Sequence, residues 1–106
     1  MFCNTFVAMK QTLTIDGENF SDLEGFYHEI DRALTKDTDW KTGHNLDALN
    51  DLLRGGFGVF EYEEPIGLVW KNYAKSLQEL GEEKVGELTE IIGTHKHIEF
   101  FVLLFS

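Results

Sequence analysis

The sequence predicts an α/β domain built on a three-stranded parallel sheet with about four helices, in the order βααβααβ. Three observations carry the prediction. Residues 10–15, 66–70 and 98–105 read as strands. Apolar residues in the two intervening stretches recur at helical spacing, two helices to each stretch. A helical crossover returns the chain to the same end of a sheet, so neighbouring strands run parallel, with right-handed connections.

Residues 10–15 alternate, with Leu13 and Ile15 on one face, and Asp16-Gly17 then turns the chain. Ser21 and Glu24 have capping-box spacing, in which a hydroxyl and a carboxylate satisfy first-turn amides. Helix one is therefore placed at about residues 22–34, with Leu23, Phe26, Tyr27, Ile30 and Leu34 as its apolar stripe. Asn45 is the cap expected for helix two, residues 46–53. Leu46, Leu49, Leu52 and Leu53 form its apolar face, and Gly55 is its stop. The unbroken run Ile66-Gly67-Leu68-Val69-Trp70 follows Pro65 and suits a buried strand. Tyr73, Leu77 and Leu80 mark a third helix ended by Gly81; Val85, Leu88, Ile91 and Ile92 mark a fourth ended by Gly93. Residues 98–105 are apolar almost throughout, which places the last strand at the sheet centre.

The chain has 106 residues, one domain's worth, and no internal repeat. Nine Lys and Arg against 19 Asp and Glu give a net charge of −10. Nucleic acid and anionic lipid both demand cations, so this charge argues against either and for a basic protein partner. The longest apolar run, residues 100–105, is far shorter than the roughly 20 residues that cross a bilayer. A single cysteine, Cys3, rules out an internal disulfide and fits a reducing, cytoplasmic setting. Residues 1–8 have neither the basic flank nor the apolar length of a signal peptide. Because Met9 stands just before the first strand, residues 1–8 read as a non-essential extension and residues 9–106 as the domain. The competing expectation is that the extension adds a strand or covers a sheet edge.

The most informative segment is Gly43-His44-Asn45-Leu46-Asp47-Ala48-Leu49-Asn50-Asp51-Leu52-Leu53. Asp47 and Asp51 are four apart, so they share the face of helix two opposite its leucines. Like charges at that spacing cost about 0.2–0.5 kcal/mol in an isolated helix. Asp47 recovers part of this near the positive helix end, whereas Asp51 lies nearer the other end. Two carboxylates at phosphate-like separation can mimic nucleic acid toward a basic protein cleft. The same pattern also describes the solvated face of an acidic protein.

This segment resembles the barstar family of intracellular inhibitors of extracellular bacterial ribonucleases, matching Gly-x-Asn-Leu-Asp-Ala-Leu-x-Asp-x-Leu. The resemblance extends to Gly56-Phe57, to Glu64-Pro65-Ile66 and Trp70, and to the closing Leu103-Leu104-Phe105-Ser106. It implies a barstar-like fold and a plug: helix two and the loop before it enter the active site of a basic secreted or toxin-type ribonuclease, barnase-like in kind. By position, Asp47 and Asp51 become the acidic contacts, and Gly43, His44 and Asn45 the loop presenting them. Asn50 stands where the family places an aromatic residue. Gly56 and Phe57 become a second contact loop, and Glu90 a further acidic contact on the fourth helix. Lys41-Thr42 depart from the aromatic pair that family members place before the motif glycine, with Trp40 one position earlier. The loop across residues 55–65 is longer than in barstar itself.

No cofactor is expected, since no phosphate loop, dinucleotide fingerprint or nucleophile elbow occurs. An acid–base pair of Asp47 and Asp51 would need two different environments to separate their pKa values. One exposed helix face offers none, so the chain is read as no enzyme. His95 and His97 form an H-x-H pattern without a third ligand at diagnostic spacing, and read as a polar loop rather than a metal site. The expected protein is a cytoplasmic immunity protein, monomeric when free, that binds no nucleic acid or membrane. The alternative is a small acidic adaptor that binds a basic protein other than a nuclease.

Overall fold

The computed structural model describes residues 11–35, 45–55 and 59–106. The proposed extension at residues 1–8 lies outside them. The described elements are β1 (Thr12–Asp16), α1 (Leu23–Leu34), α2 (Leu46–Arg54), β2 (Ile66–Lys71), α3 (Tyr73–Leu80), α4 (Glu82–Gly93) and β3 (Ile98–Val102). They follow the predicted order, and both strand pairings are parallel. A single 3-10 turn at Gly17–Asn19 joins β1 to α1.

Register decides which face is buried. Leu13 lies beside Leu68 and Ile15 beside Trp70. Ile98 lies beside Ile66 and Phe100 beside Leu68. Side chains alternate across a strand, so these apolar residues share one face. That face meets Phe26 and Ile30 of α1, Leu49, Leu52 and Leu53 of α2, and Val85, Leu88 and Ile92 of α4 in one core. Thr12, Glu99 and Phe101 lie exposed on the other face, so the described helices form a second layer on one side of the sheet. Trp70 sits fully buried at the centre, within 5.3 Å of the Phe26 ring and 5.1 Å of the Tyr73 ring. Its indole N–H donates to Ser76 Oγ at 3.1 Å, which removes the penalty of an unpaired buried donor.

Among the described strands the last is not central. Their order is β1-β2-β3, so β2 holds the centre and β3 lies at one edge. The long apolar run serves two purposes that its composition does not distinguish. Through Val102 it is strand; beyond, it becomes a tail whose Leu103, Leu104 and Phe105 are 44%, 52% and 83% exposed. The Leu103 and Leu104 carbonyls accept from Tyr73 and Ala74 N–H, each at 3.0 Å. Those amides belong to the first turn of α3, whose cap residue Asn72 supplies no side-chain bond. The tail therefore caps a helix.

One helix start also differs from expectation. Asp22, not Ser21, caps α1: its Oδ1 accepts from Gly25 N–H at 2.8 Å. Gly93 is the last residue of α4, where the sequence ended the helix, and Thr94 caps it. On α1, Glu29 is buried within the apolar stripe. It accepts a two-pronged bond from Arg32 at 2.8 and 3.0 Å, and bonds from Asp16 N–H at 2.9 Å and Asn19 at 3.1 Å. Burial pushes its pKa up, but the Arg32 fork and the two amide donors outweigh burial and hold it below the ordinary carboxylate range.

Candidate functional site

Helix α2 is fixed at both ends by local chemistry. Asn45 Oδ1 accepts from Ala48 N–H at 2.8 Å, the predicted cap. Gly55 ends the helix with φ 96°, and a Cβ there would stand 2.5 Å from the Glu61 carbonyl oxygen. Only glycine fits both constraints. Leu49, Leu52 and Leu53 are completely buried, whereas Leu46, expected beside them, is 37% exposed in the first turn.

Those three leucines fix the rotation of the helix and turn the opposite side outward. Asp47, Asn50, Asp51 and Arg54 follow i, i+3, i+4, i+7 spacing and form one stripe there. Asp47 and Asp51 are exposed, as predicted. Arg54, which the sequence reading passed over, reaches back to Asp51 with 3.7 Å between Nη1 and Oδ1. An exposed pair one turn apart contributes about 0.3–0.5 kcal/mol, enough to offset the Asp47–Asp51 repulsion.

Beside the stripe opens a cleft of about 690 Å³ lined by Asn50, Arg54, Glu63, Thr94, His95, Lys96 and His97. His95 Nε2–H donates to Asn50 Oδ1 at 2.8 Å. His97 Nε2–H donates to the Leu53 carbonyl at 2.9 Å, one of the carbonyls that the end of α2 leaves unpaired. The two rings thus fasten the second half of α2 to the turn after α4. Burial lowers the His95 pKa, nearby His97 and Arg54 lower it further, and Glu63 opposes them weakly, so His95 is neutral at pH 7. The turn is polar, as read from the sequence, but its rings face α2. The alternate spacing of the H-x-H pattern was the available signal, and nothing local said what the rings would meet. Among the described residues no group of three His, Cys, Asp or Glu is placed to hold a metal ion.

The structure thus brings Asn45, Asp47, Asn50 and Asp51 together on one helix. Glu90 is exposed on α4, which packs against α2. Gly43, His44, Gly56 and Phe57 lie outside the described residues, as do Trp40, Lys41 and Thr42. No described helix is long and apolar enough to cross a membrane.

No curated protein matches the chain. Residues 10–101 match the family described as Barstar (barnase inhibitor). That span takes in α2, the cleft and nearly the whole sheet, and with the βααβααβ order it establishes that the chain belongs to the Barstar family.

Proposed function

We propose that the chain inhibits a basic, barnase-type ribonuclease by lodging the exposed stripe of α2 in the enzyme's active site. The observation that carries this is a pre-set acidic face. Asp47 and Asp51 project from a helix capped at Asn45, stopped at Gly55 and locked by three fully buried leucines. A rigid element loses little conformational freedom on binding, so its charges act at low entropic cost. In the complex the two carboxylates occupy the places of RNA phosphates among the enzyme's cations. Gly43, His44 and Asn45 present the helix, Asn50 lies between the acids, Gly56 and Phe57 form a second contact loop, and Glu90 adds an acidic contact from α4. The net charge of −10 speeds encounter with a basic enzyme. The chain is then an inhibitor without catalysis of its own, a cytoplasmic immunity protein that is monomeric until it meets its nuclease.

The test is capture followed by an RNA-cleavage assay. Immobilised chain should retain a basic protein whose RNA cleavage disappears when free chain is added, and an Asp47→Ala, Asp51→Ala double variant should retain little of it. A captured basic protein that cleaves no RNA, or cleaves it equally well with saturating chain, would favour the adaptor reading instead.

A further inference from the structure

We infer that the cleft beside α2 receives a carboxylate side chain of the bound ribonuclease, and that Lys96 is a specificity-determining contact for it. This rests on the inhibitor reading above. The cleft and the acidic stripe share a border: Asn50 and Arg54 belong to both, and Asp51 pairs with Arg54 across it. A partner that covers Asp47 and Asp51 therefore also covers the mouth of the cleft.

The charge there runs against that of the molecule. The protein carries −10, yet this wall presents Arg54 and Lys96, with His95 and His97 beside them and Glu63 as the one acid. His95 and His97 each commit one ring N–H to α2, to Asn50 and to the Leu53 carbonyl, which holds the wall in place. Arg54 is partly neutralised by Asp51 at 3.7 Å, so Lys96 is the cation most free to meet an incoming group. A lysine or arginine of the partner would face Arg54 and Lys96 with Glu63 as its single acceptor in the cleft, and an apolar group would strip water from these cations without return. A carboxylate satisfies both conditions. Electrostatic complementarity of this kind selects partners: the acidic stripe demands a basic active site, and the cleft demands an acid on its rim.

The sign of one substitution decides the matter. Lys96→Gln makes the chain more acidic, so the overall field alone predicts equal or tighter binding to a basic ribonuclease. A local contact predicts the reverse. Lys96 is exposed in the turn before β3, so its loss leaves the fold intact. The control is Lys84→Gln, the same charge change near the far end of α4. The probe is a barnase-type ribonuclease that the wild-type chain inhibits. Lys96→Gln should weaken inhibition about fivefold, the upper range for a single exposed charge pair. Lys96→Arg should restore it, and Lys84→Gln should leave inhibition unchanged or improved. If Lys96→Gln inhibits as well as wild type while Asp51→Ala does not, the cleft proposal is wrong and the inhibitor reading stands. If Asp51→Ala is equally silent, or no barnase-type ribonuclease is inhibited, both fall together.

Discussion

At the scale of single residues, the contacts that matter most join elements far apart in sequence. Glu29 sits in the apolar stripe of α1, and its partners Asp16 and Asn19 lie 13 and 10 residues earlier. It ties α1 to the end of β1 and to the turn that follows. Its folded pKa is depressed, so its contribution to stability is fully present above the unfolded value of about 4.3. The contribution is lost as pH falls through the lower folded value. Glu29→Gln cannot titrate and breaks a charged hydrogen-bond set, so it should destabilise the protein by about 1.5–3 kcal/mol at pH 7. Urea unfolding of both proteins from pH 7 to pH 3 should show that gap closing below about pH 4.3. A gap independent of pH would mean that the carboxylate's charge is not what holds these elements. None of this was legible in the sequence, where Glu29 is one acid among 19. The α1 cap shows the same limit: the capping-box spacing points to Ser21, but the side chain that accepts from Gly25 N–H is that of its neighbour Asp22.

At the scale of elements, legibility follows how local the determining signals are. Helix α2 was readable nearly residue for residue, because its cap at Asn45, its leucine stripe and its stop at Gly55 all lie within eleven positions of one another. The edge position of β3 was not readable. Whether a strand is central depends on the path of the crossovers, and an apolar tail that caps α3 has the composition of a buried strand. The cleft was half legible: the H-x-H pattern stood out, but its α2 partners lie more than 40 residues away, 45 for His95 and 44 for His97. Gly55 provides the sharpest element-level test. Its φ of 96° and the 2.5 Å approach of the Glu61 oxygen leave no room for a Cβ. Gly55→Ala should cost about 1–3 kcal/mol and loosen the end of α2. Thermal unfolding would show the loss, and an unchanged melting temperature would show that the stop is not rigid.

At the scale of the whole molecule, composition bears on the kind of partner that the proposed function needs. A charge of −10 on 106 residues creates a field that outlasts any single pair, and it argues for a basic target before any motif is considered. Association with a ribonuclease should therefore slow as salt rises, because the Debye length falls from about 10 Å at 0.1 M to about 3 Å at 1 M. Stopped-flow mixing across that range would measure it, and a flat rate would remove steering from the mechanism. The most direct test of the inhibitor function separates that diffuse field from the α2 stripe. It is a titration of ribonuclease activity with wild-type chain, Asp51→Ala and Glu99→Ala. Both variants remove one negative charge, but Asp51 lies on α2 and Glu99 on the outward face of the sheet. Asp51→Ala should keep the melting temperature, since the better helix propensity of Ala offsets the lost Arg54 pair. Truncating one member of a buried charge pair costs about 2–5 kcal/mol, a range set by complexes such as barnase–barstar itself, so inhibition should weaken by about thirtyfold or more. Glu99→Ala should inhibit almost as well as wild type. Equal inhibition by Asp51→Ala and wild type would contradict the placement of α2 in the ribonuclease active site.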